Sequence, residues 1–246
     1  MNKYRADLHI HTVLSPCGDL EMSPAKIIEK AREKGLDIIG ITDHNTTRHC
    51  KLISKLAEPE GIFVLMGAEV TTREEVHCLT FFENDEKLSE FQLYLETYLP
   101  PVPNNTEKFG YQVVVDENEQ IIDEIEFLLL SALDQSIEQI EHKVHSLGGI
   151  FIPAHIDRPS YSIISQLGFI PKDLMIDGIE ISAKCKVESV MPFLTKHKAK
   201  SIIRNSDAHY TENIGNAFTS FEMEHRSFEE IKLALKGFEG RKVTVS

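Results

Sequence analysis

Short all-apolar runs along this chain alternate with longer stretches in which apolar residues recur every three or four positions. That is the pattern of strands buried on both faces alternating with amphipathic helices. Ala6 to Thr12 reads as a strand. Ser23 as a cap, Pro24 in the first turn, Ile27, Ile28 and Ala31 at helical spacing and Gly35 as a stop predict a helix from about Pro24 to Lys34. Asp37 to Thr42, with Ile38, Ile39 and Ile41, reads as the next buried strand, so the opening segment is a strand, helix, strand crossover. A polar helix over Arg48 to Ala57 and strands over Phe63 to Val70 and Val76 to Phe82 continue the alternation. A helix over Gln135 to Ser146, stopped by Gly148-Gly149, leads to strands at Ile150 to Pro153, Gly178 to Ser182 and Ser201 to Asn205. Ser227 with Glu230 forms a capping box for a helix reaching about Lys236, and Lys242 to Val245 is a last strand.

Residues 83–133 break this rhythm. A helix over Leu88 to Leu99, a turn at Pro100 to Pro103 and a hairpin pairing Tyr111 to Val115 with Ile121 to Ile125 predict an inserted lid or small subdomain. The 246 residues, 41% of them hydrophobic, fit a single domain spanning 1–246 around one large core. Repeated strand and helix units predict an α/β fold of the TIM-like barrel type, in which functional residues collect where parallel strands end. An open doubly wound sheet is the alternative.

Six of the eleven histidines stand at or near the ends of the expected strands: His9 and His11 in Asp-Leu-His-Ile-His, His44 in Thr-Asp-His-Asn, His77 in Glu-Val-His, His155 in Pro-Ala-His and His209 in Ser-Asp-Ala-His. Two apart on an extended strand, His9 and His11 share a face, with Leu8 and Ile10 directed the other way. One such pair is equally an ordinary polar strand end. Imidazoles gathered from several strand ends, with Glu69 and Asp207 among them, are what a site for several divalent cations requires. His49, His142, His145, His197 and His225 lie in helical or polar segments and are expected to face solvent.

The balance of 26 Lys and Arg against 39 Asp and Glu gives a formal charge of −13. This argues against broad attachment to nucleic acid or an anionic membrane surface, and no stable nucleic-acid complex is expected. Cys17, Cys50, Cys78 and Cys185 lack CxxC spacing, no signal-peptide pattern opens the chain, and no apolar run reaches the roughly 20 residues that span a bilayer. The expectation is a cytoplasmic protein without membrane contact.

His9-Ile10-His11, Asp19, Thr42-Asp43-His44-Asn45, Glu69, His77, Pro153-Ala154-His155 and Ser206-Asp207-Ala208-His209 resemble the polymerase and histidinol phosphatase family over almost the whole chain. The resemblance implies a distorted seven-stranded TIM-like β/α barrel holding two or three divalent metal ions. It also implies a ligand set of His9, His11, Asp19, His44, Glu69, His77, His155, Asp207 and His209, with Glu69 as the bridging carboxylate. At the position of Asp19, related sequences carry either histidine or an acid. Members include phosphatases, phosphodiesterases and exonucleases. The long insertion resembles the branch that hydrolyses nucleoside bisphosphates or oligonucleotides, which makes these better substrates than histidinol phosphate.

The chemistry agrees with this resemblance. Phosphate esters repel nucleophiles, and metals both screen that charge and lower the pKa of a bound water from 15.7 toward about 7. The expected activity is therefore a metal-dependent phosphoesterase that hydrolyses a small phosphorylated metabolite, nucleotide or short oligonucleotide through a metal-activated hydroxide. Manganese, iron and zinc all suit the mixed ligands. Arg158 and Tyr161, in the loop after His155, offer a guanidinium and a phenol to phosphate, and Lys184 and Arg204 are further substrate-binding candidates. Arg158, Asp207 and His209 are the catalytic candidates, and Asp43 is placed to orient ligands. For Arg158 a surface salt bridge, and for Arg204 an internal pairing, are the competing readings. An amidohydrolase-type C–N hydrolase, which also opens with HxH, and a non-catalytic metal-stabilised binding module are the alternative functions.

Overall fold

The computed structural model describes residues 1–195 and 201–245. Strand β1 (Asn2–Ile10), helix α1 (Pro24–Glu33), β2 (Ile38–Ile41), α2 (Cys50–Ala57) and β3 (Phe63–Thr71) make two successive crossovers, with β1, β2 and β3 parallel and adjacent. The next strand, β4 (His77–Phe82), runs antiparallel to β3. Its direction follows from chain length, because a parallel return needs a dozen or more residues and only 72–76 separate the two strands. There follow α3 (Asp85–Tyr98), α4 (Thr106–Phe109), the hairpin of β5 (Val113–Val115) with β6 (Ile121–Glu124), and α5 (Ile137–Ser146). Strand β7 (Ile150–Pro153) pairs antiparallel with β4 and so regains the direction of β3. The remaining elements are α6 (Ile163–Leu167), β8 (Ile179–Ile181), α7 (Val187–Thr195), β9 (Ile202–Arg204), β10 (Thr219–Met223), α8 (Phe228–Lys236) and β11 (Lys242–Val245).

The main sheet has the order β11-β10-β1-β2-β3-β4-β7, and the parallel pair β8 and β9 forms a separate small sheet. Backbone bonds carry the pair across the open side of the curl. Asp177 N–H donates to Phe151 O at 3.0 Å and Ile156 N–H to Glu180 O at 2.9 Å, while Ala208 N–H donates to His9 O at 3.1 Å and His11 N–H to Ala208 O at 3.0 Å. The expected TIM-like barrel is thus present in distorted form, with one reversed stave and an antiparallel flank of β10 and β11. Strand β10 and helices α4, α6 and α7 lie outside the expected elements. No helix among the described residues is long and apolar enough to cross a membrane.

Two apolar clusters build the layers. The inner one joins Ala6, Leu8, Ile38, Leu65, Leu79, Phe81, Ile150, Ile152 and Ile203 from successive strands with Phe228, Ile231 and Leu235 of α8. Helix α8 closes the end where strands begin, since Ser201 Oγ donates to Leu235 O and Lys232 Nζ to Gly148 O, just ahead of β9 and β7. The opposite end, where β1, β2, β3, β7, β8 and β9 finish, is left for chemistry, and reversal of β4 brings its first residue, His77, to that same end. The outer cluster packs Ile27 and Ile28 of α1, Ile53 of α2, Phe91 of α3 and Ile140 of α5 against Ile10, Ile39, Ile41 and Val64.

Leu8 therefore faces inward and Ile10 outward, which corrects the reading that both point away from the histidines. The pairing of β1 with β2 shifts register between Asp7 and Ile10. Such an irregularity changes side-chain parity, so the inward row passes from Ala6 and Leu8 to His9 and His11.

After α3, whose Leu88, Phe91 and Leu95 are core residues, the chain leaves the barrel wall. Val113 and Val115 pack on Val13, and Val114 and Leu129 pack on Leu14, so the hairpin rests on the loop that follows β1. The excursion closes on itself where Asp134 N–H donates to Tyr98 O at 3.0 Å.

The strands approach one another too closely for side chains at two points. A Cβ on Gly67 would lie 1.8 Å from Thr80 O, and one on Gly40 would lie 2.5 Å from Leu8 O. Because both obstacles are backbone, relief requires strands to separate. Gly67→Ala is expected to lower unfolding free energy by more than about 2 kcal/mol, read as a lower urea midpoint. An unchanged midpoint would contradict the close packing of β3 on β4.

Candidate metal centre

Glu69, in β3 and 1% exposed, stands at the middle of the strand ends. Oε1 lies 2.9 Å from His77 Nδ1, 3.0 Å from His155 Nε2 and 3.3 Å from His9 Nε2, while Oε2 lies 3.3 Å from both His11 Nε2 and His44 Nδ1. Asp207, in the turn after β9, adds a second carboxylate whose Oδ1 is 3.3 Å from both His9 Nε2 and His11 Nε2. The rings of His11 and His209 stack with centroids 4.1 Å apart. The structure thus brings together eight of the nine residues of the implied ligand set. The ninth, Asp19, is part-exposed at the rim. Its backbone N–H donates to His209 O at 2.9 Å, and its carboxylate accepts from Glu21 N–H.

Divalent metal fits this donor set. Three groupings, His11 with His44 and His209, His9 with His11 and Glu69, and His44 with Glu69 and His77, each have donor atoms within 4.8 Å of one another. His44 Nδ1, His155 Nδ1 and Asp207 Oδ1 are buried without a hydrogen-bond partner. Such orphaned lone pairs are costly unless a cation or water meets them.

The protonation pattern of the protein without metal follows from the same crowding. Burial opposes charge on His9, but the carboxylates of Glu180, Asp207 and Glu69 outweigh it and hold His9 well above the usual histidine range. Burial likewise opposes charge on His11, yet Asp207 and Glu69 raise it to about 9. His44 is held well below the usual value by burial and by His11, and His209 falls to about 4 for the same reasons. Glu69 and Asp207 stay ionised against the cost of burial: His77, His9 and His44 hold Glu69 low, and His9 and His11 hold Asp207 low.

A surrounding layer fixes the donors. Glu180, buried in β8, sits with Oε1 3.0 Å from His9 Nδ1, accepts from Asn205 Nδ2 at 2.8 Å and takes the backbone N–H of His155 at 2.9 Å. A carboxylate on one imidazole nitrogen holds the other nitrogen's lone pair toward the metal. Sequence reasoning missed Glu180. Its signal was the lone acid in Ile179-Glu180-Ile181, whose isoleucines both pack in the outer cluster and so turn the acid inward. Asp43 accepts from Thr12 N–H and Ser15 Oγ at 2.7 Å, and Ser15 Oγ is 3.1 Å from His11 Nδ1.

His49 is corrected outright: it is fully buried, with Nδ1 2.6 Å from Thr12 Oγ1. His145 is part-buried between Glu141 and Asp177, His142 and His225 are exposed, and His197 lies outside the described residues.

The proposed substrate contacts divide. Arg158 Nη2 is 2.6 Å from Asp207 Oδ2, and Arg158 and Lys184 line a cavity of about 260 Å³ together with His155, Glu180, Ser182 and Asp207. Tyr161 stacks on His77 at 4.8 Å between centroids and is 47% exposed. Arg204 instead donates to Cys185 O at 2.7 Å. The backbone is left-handed at His155 (φ 29°), Tyr161 (φ 56°) and Asp207 (φ 52°), conformations that cost non-glycine residues about 1–3 kcal/mol each and cluster at functional sites.

A model of the PHP domain matches residues 7–154, and a model described as PHP-associated matches residues 194–237. The chain belongs to the PHP family. It is 25% identical over 274 aligned positions to the uncharacterized protein YqxK of Bacillus subtilis, covering 99% of this chain and 64% of YqxK. Among solved structures, a lesion-specific endonuclease from Pyrococcus furiosus superposes with a TM-score of 0.72 at 24% identity, over 98% of this chain and 58% of the endonuclease. Endonuclease Q, in complex with a 27-mer duplex carrying an abasic lesion at the active site, gives 0.66 at 22% identity, over 98% of this chain and 58% of its own. This PHP chain spans under two thirds of each of these relatives.

Two measurements test the centre. Protons on His9 and His11 compete with metal, so apparent affinity for Mn²⁺ should rise with pH up to about 9, and binding should release protons in calorimetry across buffers of differing ionisation enthalpy. Affinity independent of pH between 6 and 9 would contradict the assignment. Glu180→Ala should weaken Mn²⁺ binding about 10–100-fold with the far-ultraviolet circular dichroism spectrum unchanged.

Proposed function

We propose that this PHP protein hydrolyses phosphate esters of nucleotides or short oligonucleotides at the cluster around Glu69. The observation that carries the reading is the junction at Asp207, where one oxygen faces His9 and His11 and the other holds Arg158 beside a cavity open to substrate. His9, His11, His44, Glu69, His77, His155, Asp207 and His209 would hold two or three divalent ions, with Asp19 completing the set at the rim. Bound there, such ions screen phosphate oxygens and lower the pKa of water toward about 7.

The chain's own residues supply position and charge. Arg158 presents a planar fork suited to two phosphate oxygens, and its ion pair with Asp207 keeps that fork next to the metal ligands. Lys184, exposed on the cavity wall, adds a mobile point charge for a second anionic group. Tyr161 offers the half-exposed face of a ring whose other face rests on His77, a platform for a nucleobase rather than for a purely aliphatic alcohol. The inserted segment, docked on Val13 and Leu14, acts in this reading as a lid that shapes access. Free thiols at Cys17, Cys50, Cys78 and Cys185 accord with a reducing, cytoplasmic setting. Glu69 at the hub, with Asp207 and His209 paired late in the chain, favours phosphoester over C–N chemistry.

Release of phosphate or of a new nucleotide end, assayed with Mn²⁺-loaded protein on aryl phosphates, nucleoside bisphosphates, short RNA and duplex DNA carrying an abasic site, tests the reading. His9→Ala and Asp207→Ala should each cut turnover more than about 100-fold with the fold retained. Chelation should abolish activity, and added metal should restore it. Wild-type rates in the chelated variants would defeat the proposal. Arg158→Ala should raise KM more than it lowers kcat, and an unchanged KM would assign Arg158 to Asp207 alone.

A further inference from the structure

His49 joins the inserted hairpin to the ligand loop through one imidazole. Its Nε2 accepts the backbone N–H of Val115, in β5, at 3.0 Å, so this nitrogen carries no proton. Burial pulls the His49 pKa down, which keeps the ring neutral and leaves the remaining proton on Nδ1. Nδ1–H then donates to Thr12 Oγ1 at 2.6 Å, and that hydroxyl donates to Asp43 Oδ2 at 2.8 Å. Asp43 Oδ1 accepts from Ser15 Oγ at 2.7 Å, so Ser15 must accept the proton of His11 Nδ1, 3.1 Å away. His11 Nε2 is thereby left to face Glu69 and Asp207.

Every donor and acceptor in this chain from Val115 to His11 has one consistent direction. Thr12, Ser15 and His49 are each fully buried, and Asp43 is 1% exposed. Water is therefore kept from replacing any member.

We propose that His49 is a positioning residue that couples docking of the inserted hairpin to metal occupancy, tightening the hairpin when His11 is metal-bound and tightening metal binding when the hairpin is seated. Coupling of this kind is reciprocal by linkage. The proposal rests on the metal-centre reading, not on the identity of the substrate.

Two substitutions separate the arms of the imidazole. His49→Asn places an amide N–H near Nδ1 and can still serve Thr12, but it loses the acceptor for Val115. His49→Gln reaches Val115 with its amide oxygen and loses Thr12. Hydrogen exchange of the hairpin amides, followed with and without Mn²⁺ on the whole protein, reads the coupling. In the wild type, Mn²⁺ should slow exchange at 113–115 by about tenfold, and this slowing should vanish in both variants. His49→Asn should lose up to the same factor of about ten in Mn²⁺ affinity, because its hairpin can no longer tighten the site, and its metal-free hairpin should exchange faster. His49→Gln should lose affinity about tenfold with metal-free exchange nearest the wild type. Mn²⁺ binding to the wild type without slower hairpin exchange, or equal slowing in either variant, would overturn the coupling and leave the metal centre standing. Absence of Mn²⁺ binding to the wild type would overturn both.

Discussion

A single buried carboxylate decides most of what this molecule is. Glu69 lies where β3 reaches the open end of the barrel, and imidazoles from β1, β4 and the turns after β2 and β7 all face its two oxygens. An ionised acid in that position is costly unless positive charge surrounds it. Without metal, protons on neighbouring histidines meet the demand, and with metal, the cations do. Either way the strand ends are drawn to one point, and the fold near that point exists to satisfy Glu69.

The same constraint bears on the strained backbone at the site, although Glu75, Glu119 and Glu239, outside the donor cluster, are left-handed as well. His155, Tyr161 and Asp207 all adopt left-handed conformations without being glycine, and each is held by bonds from outside its own turn. Glu180 grips the His155 amide, His77 N–H donates to Tyr161 O at 2.8 Å, and Arg158 anchors Asp207. Strain held in place by rigid elements presets donor directions before any ion arrives, so less reorganisation accompanies binding.

Much of the barrel was legible in the residues. Apolar runs located the parallel strands to within a residue or two, because burial is a local demand, except that β1 begins at Asn2, four residues ahead of the expected Ala6. The Ser23-Pro24 and Ser227-Glu230 signals located helix starts, although Ser23 makes no capping bond and Glu230 turns its carboxylate to Arg241. The histidines at strand ends were legible for the same reason. What escaped reading depends on partners far along the chain. His49 looks like any polar residue at a helix start until Val115 and Thr12 are folded around it, 66 and 37 residues away. The inward turn of Leu8 depends on a register shift against β2, which no pattern within β1 announces. The reversed direction of β4 and the inward face of Glu180 were readable from loop length and alternation.

The pairing of Asp134 with Tyr98 has a consequence for how such molecules diversify. The two ends of the excursion meet, so length and shape between them can change while α3, α5 and the strands they cover stay where they are. Chain between those ends can be recut like a removable panel, provided the contact of Val115 with His49, through which the excursion meets the loop after β1, is kept.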